Sequence, residues 1–184
     1  AADLQVVELS AEGRSKLQDS FGVRAVEAFD EQALACDVLV LAVKPQQMKV
    51  ALVPISGRLD KQVVVSIAAG LRMADIGRWL GGHTRLVRAM PNTPALIGAG
   101  ITGLYADASV SVEGREAAAR VLNAVGSTVW VPEEAQIDGV TAVSGSGPAY
   151  VFYFIESLEA AAVAQGLPDR KSTTSELQSR SDLV

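Results

Sequence analysis

Three short apolar runs in this sequence stop abruptly in small, rigid or polar residues: Val43-Lys44-Pro45, Ile67-Ala68-Ala69-Gly70 and Met90-Pro91-Asn92-Thr93-Pro94. Ala68, Ala69 and Gly70 carry too little side chain to keep a planar ligand away from the main chain. Lys44 offers a cation to an anionic or hydroxyl group. Asn92 offers amide donors and an acceptor in a loop stiffened by the prolines around it. Alone, each segment is an ordinary strand-to-loop turn. Three together at the ends of parallel strands make a crevice, because ligands of open α/β sheets lie beyond the carboxyl ends of the strands.

A fourth segment, Ser144-Gly145-Ser146-Gly147-Pro148, precedes a long apolar run. As a helix N-terminus it presents free N–H groups that can hold a phosphate or carboxylate, and the same residues can equally serve as a cap and a close packing point. Glu134 and Asp138 stand four apart and share a helix face, either as solvated surface or as holders of a cationic substrate nitrogen. The G-x-G-x-x-G match, Gly98 to Gly103, does not qualify as a dinucleotide fingerprint: it follows a proline loop and leads into a strand, not a helix. His83 reads as a solvated loop residue and Cys36 as a small packing residue. With one His and one Cys, a Ser-His-Asp triad, a Cys- or His-based metal site and an internal disulfide all lack the residues they need.

The elements that must position these residues follow from periodicity. Strands are predicted over 4–8, 37–43, 62–67, 85–90, 101–105 and 128–131, with helices over 11–20, 29–35, 46–52, 73–80 and 113–124. This alternation is that of βαβ units and a mainly parallel sheet. The run 37–43 is apolar without alternation, as a central strand covered on both faces requires. Beyond Pro132 the character turns helical over 133–142. A helix then runs from Pro148 to Gly166, capped by Ser146 or Gly147 and ended by Gly166 in a left-handed conformation. Its apolar surface is too wide for one sheet, so it belongs to a second helical layer or a subunit interface. From Asp169 onward the pattern is polar and aperiodic, as in a frayed tail.

Composition sets the outer bounds. The 184 residues amount to one domain and part of another at about 150 per domain. A hydrophobic share of 49% supplies a true core and excludes general disorder. The net charge of −5 without a basic run speaks against nucleic acid, and no apolar stretch of membrane-spanning length lacks charge, so the expected location is cytoplasmic.

In order and approximate spacing, Leu41-Ala42-Val43-Lys44-Pro45, Ser66-Ile67-Ala68-Ala69-Gly70, Arg88-Ala89-Met90-Pro91-Asn92-Thr93-Pro94 and Ala142 to Tyr150 resemble the pyrroline-5-carboxylate reductases of proline biosynthesis. The likeness runs from about Val6 to Pro168. It implies a Rossmann-type doubly wound parallel sheet over 1–132 that binds NADPH or NADH. The start of an all-α dimerisation domain over 133–168 and an atypical tail over 169–184 follow. By the same resemblance, Val43, Lys44, Pro45, Ala69, Asn92 and Thr93 fall at cofactor positions and Glu134 at a substrate position; the crevice reading adds Ala68 and Gly70 to the cofactor side, and Ser144, Gly145 and Ser146 are expected on the substrate side. The implied reaction is hydride transfer to the C=N carbon of a cyclic imine, giving L-proline in a homodimer or larger homo-oligomer. The chain is expected to be a fragment, beginning at the family's second strand without its first strand and glycine-rich loop, and inactive by itself. The rival readings are a non-catalytic remnant or oligomerisation module, and another NADP-dependent reductase of the F420-NADP reductase or β-hydroxyacid dehydrogenase kind. Glu8 and Arg14 give opposed signals on NADH against NADPH.

Overall fold

The computed structural model describes residues 4–168. The predicted tail, 169–184, lies outside the described residues. Elements run in the order β1 (Gln5–Val7), α1 (Ala11–Phe21), β2 (Arg24–Val26), α2 (Glu31–Leu34), β3 (Val38–Leu41), α3 (Pro45–Leu52), β4 (Val63–Ser66), α4 (Met73–Trp79) and β5 (Leu86–Met90). β6 (Gly100–Ala106), α5 (Val112–Asn123), β7 (Gly126–Trp130), α6 (Gln136–Val140) and α7 (Gly147–Ala164) follow. Strands β3-β4-β5-β6-β7 form one sheet in sequence order, parallel throughout except for the antiparallel β5–β6 pair. β1 and β2 pair in parallel as a separate two-stranded sheet.

Alternation along the strands divides the core into two layers. Val64 and Leu86 pack with Met48, Leu52, Ile55, Ile76 and Leu80 beneath α3 and α4, while Val63, Val65, Val87 and Ala89 pack with Leu104, Ala118 and Leu122 beneath α5. Helices on both faces are why these strands read as unbroken apolar runs. Burying each of Leu52, Ile55 and Ile76 contributes about 1.5–3 kcal/mol.

Several expectations change. β3 is an edge strand of the five-stranded sheet, with Val40 exposed. Leu39 and Leu41 pack into one core layer and Val38 against the other, so the unbroken apolar run only partly reports covering and carries no information on the place of β3 in the strand order. β2 escaped prediction because it has only three residues and begins with Arg24. The 29–35 helix shrinks to Glu31–Leu34, started by the Asp30 side chain, which accepts the Ala33 N–H at 2.8 Å. The 133–142 helix starts at Gln136, and its continuation widens into a π-helical turn, Thr141–Gly145, before α7. Ser146 gives α7 no side-chain cap, because its hydroxyl donates to the Thr141 carbonyl at 3.1 Å. Gly166 does end the helix left-handed, at φ 84°.

Candidate active site

The carboxyl ends of β3, β4 and β5 lie side by side, and the connections that leave them bring 43–45, 68–70 and 92–93 to one edge of the sheet. Pro45 opens α3, a position that needs no N–H, and exposed Lys44 precedes it. At the end of β4 the Ser66 hydroxyl accepts the Ala68 N–H at 3.3 Å and turns the chain. Ala68 is 6% exposed and belongs to the core, so it forms a floor and not a contact surface. Ala69 and Gly70 are exposed. Gly70 adopts φ 73°, a left-handed conformation that favours glycine, with open space where a side chain would stand.

Asn92 has both ends of its amide engaged. Its Oδ1 accepts the Ile101 N–H at 2.9 Å, and its Nδ2 donates to the Ser144 hydroxyl at 3.3 Å. The first bond shapes the loop back into β6; the second ties that loop to the π-helical turn. Gly145 seats against Met90, with Met90 Cε 2.8 Å from where a Cβ would lie. The Ser146 N–H reaches the Thr141 carbonyl at 2.9 Å, the wide bond of a π turn, a feature frequent at functional sites. Ser144 therefore meets Asn92, and Gly145 meets Met90, at one end of the sheet.

Glu134 and Asp138 do share one side of the polypeptide, and the cation they hold is Arg88 of β5. Arg88 Nη1 approaches Glu134 Oε1 at 3.4 Å and Nη2 donates to Asp138 Oδ1 at 2.7 Å. Glu134 Oε1 also accepts the Met73 N–H at 2.8 Å, giving α4 a start that Arg72 does not supply. Sequence reasoning missed Arg88. The available signal was a charged residue inside an otherwise apolar strand, flanked by Val87 and Ala89.

The G-x-G-x-x-G residues are structural, as predicted. Gly98 ends the Thr93–Ile97 turn at φ 71°, and Gly100 and Gly103 lie in β6, the latter against Val140. His83 is only partly exposed, with Nε2 3.0 Å from the Gln62 carbonyl. Cys36 is half-buried, and burial pushes its thiol up, with the Asp37 carboxylate adding to the effect. Among the described residues no group of His, Cys, Asp and Glu could hold a metal ion, and no helix is long and apolar enough to cross a membrane.

Ala69, Gly70, Lys44 and Thr93 are all exposed where the chain leaves the carboxyl ends of β3, β4 and β5. Among the described residues no connection from a parallel strand to a helix carries the G-x-G-x-x-G pattern of a pyrophosphate turn. The fold and its crevice thus define a Rossmann-type α/β chain joined to a helical segment. Comparison with known proteins narrows the class. Residues 134–180 match the family described as pyrroline-5-carboxylate reductase dimerisation, and residues 2–70 match NADP oxidoreductase coenzyme F420-dependent. The chain is 44% identical to a pyrroline-5-carboxylate reductase of Pseudomonas aeruginosa, over 97% of this chain and 66% of that protein. The solved structure of a pyrroline-5-carboxylate reductase from Coxiella burnetii is 38% identical with a TM-score of 0.81, covering 97% of this chain and 66% of the other. That of 1-pyrroline-5-carboxylate reductase from Streptococcus pyogenes is 30% identical with a TM-score of 0.78, covering 98% and 68%. The chain belongs to the pyrroline-5-carboxylate reductase family. It spans 58 to 66% of the length of the first two curated relatives.

Proposed function

We propose that this chain is part of an enzyme that reduces 1-pyrroline-5-carboxylate to L-proline with NADPH or NADH, working as a homodimer or larger homo-oligomer. The observation that carries the reading is the bond from Asn92 to Ser144, which brings a substrate-side segment of the helical region onto the nucleotide-side loop of the sheet. Family membership supplies the substrate class. Val43, Lys44, Pro45, Ala69, Gly70, Asn92 and Thr93 hold the nucleotide, with Ala68 supporting them from beneath. When bound, the reduced nicotinamide supplies a hydride to the C=N carbon of the ring.

The protein's own task is placement. Glu134 sets a negative charge beside the protonated ring nitrogen, favouring the iminium over the neutral imine. Ser144, Gly145 and Ser146 receive the substrate carboxylate. Holding two rings at reacting distance supplies much of the acceleration in such a transfer, and the site requires no histidine or cysteine acid. The experiment is a nicotinamide absorbance assay, with 1-pyrroline-5-carboxylate and either reduced nucleotide, of the full-length protein that contains this chain, with the product identified by chromatography. Nucleotide consumption matched by L-proline is expected. Turnover of hydroxy acids without imine reduction would move the chain to the wider NADP-dependent class. Absence of both turnover and nucleotide binding would leave an oligomerisation module.

A further inference from the structure

Arg88 is 2% exposed, on the central strand of the five-stranded sheet, and opposite Ser66 and Tyr105 in the register. Its Nε is buried without any partner among the described residues. A buried guanidinium with an unpaired N–H is a poor stabilising device, because an apolar residue of similar volume avoids the desolvation. What the arginine accomplishes lies at its far end. Glu134 Oε1 receives both Arg88 and the Met73 N–H, so two groups from different elements fix one carboxylate oxygen, while among the described residues Oε2 has no protein partner. Asp138, four residues on, anchors the other arm of the guanidinium and sets the approach of α6.

We propose that Arg88 is a positioning residue: anchored by Asp138, it holds the Glu134 carboxylate by Oε1 at the carboxyl ends of β4 and β5, leaving Oε2 for a cationic substrate nitrogen. The substrate half of this inference rests on the proposed imine reduction; the positioning half does not. The test therefore has two readouts in Arg88→Met, Arg88→Lys, Glu134→Gln and the double variant Arg88→Met with Glu134→Gln.

The first is amide hydrogen exchange at Met73, which needs no substrate. Exchange about tenfold faster is expected in Arg88→Met and in Glu134→Gln, with no further gain in the double variant and partial recovery in Arg88→Lys. Unchanged Met73 protection in Arg88→Met overturns the proposal, since the carboxylate then stays in place unaided. Arg88→Lys retains the buried charge, so if Arg88→Met does not fold, full wild-type protection in Arg88→Lys overturns the fork geometry in the same way.

The second readout is steady-state kinetics of the full-length protein that contains this chain, carrying the same substitutions. Arg88→Met is expected to raise KM for the imine about tenfold or more while leaving KM for the nucleotide within about twofold. Equal changes in both overturn the substrate half. A wild-type protein that reduces no imine would defeat the proposed function while the Met73 readout still decides the positioning.

Discussion

Asn92 Nδ2 and Ser144 Oγ meet at 3.3 Å across 52 residues of sequence, a hydrogen bond that joins the loop after β5 to the turn before α7. Asn92 has a second task, since its Oδ1 holds the Ile101 N–H. The two bonds can be separated. Ser144→Ala removes only the inter-segment bond and should cost less than about 1 kcal/mol, while Asn92→Ala removes both and should cost about 1–3 kcal/mol. Both should lower kcat at saturating nucleotide. Denaturant melts together with steady-state rates check this, and an unaltered kcat in Asn92→Ala would remove Asn92 from the site.

The contact between β6 and α6 is set by a missing side chain. A Cβ on Gly103 would lie 2.9 Å from both methyl carbons of Val140, which is stiff at χ1 and cannot swing away. Gly103→Ala should therefore cost about 1–3 kcal/mol by overpacking. Adding Val140→Ala should recover most of that loss. Gly145→Ala meets only the flexible end of Met90 and should be milder than Gly103→Ala. Thermal melts of the unmodified chain, Gly103→Ala, Val140→Ala, their double variant and Gly145→Ala measure the difference, and additive losses in the double variant would show that the contact is not the cause.

How much of this the sequence disclosed depends on the range of the interaction. The runs 62–67 and 85–90 announce β4 and β5 because burial on both faces is written into consecutive residues. Gly166 likewise announces the end of α7 within a single turn. The edge position of β3 depends on which strands pair with it, and no run of consecutive residues encodes that. Arg88 lies 46 and 50 residues from its two carboxylates, so no spacing rule joins them; the paired acids were visible, but the cation they serve was not. The π-helical turn at Thr141–Gly145 was equally hidden, because a run of Ser and Gly reads as loop until Asn92 and Met90 are placed beneath it.

Asp30 should make the β2–α2 segment sensitive to acid. Its carboxylate accepts from the Arg24 guanidinium and from the Ala33 N–H, and these bonds hold its pKa below the usual carboxylate value of 3.8. A folded-state pKa below the unfolded one means that the stabilisation is complete above the unfolded value and is lost as pH falls through the folded one. In Asp30→Asn the melting temperature should consequently fall less steeply between about pH 5 and 3 than in the unmodified chain. Parallel slopes across that window would show that the pair does not contribute.

The exposure of helix α7 is extreme for an apolar helix. No residue of α7 is buried, and Tyr150, Tyr153, Phe154 and Leu158 are 62, 74, 63 and 55% exposed. Water-facing apolar area of this extent calls for a cover, and in the homo-oligomer proposed above that cover is a second copy. A stable interface needs about 800 Å² from each partner, which two aromatic-rich helical faces with their neighbours can provide. Phe154→Glu with Leu158→Glu places charge at the centre of that surface without disturbing either core layer. The doubly substituted protein should keep its circular dichroism spectrum and shift to the monomer mass in light scattering. Retention of the unmodified mass would assign self-association to another face.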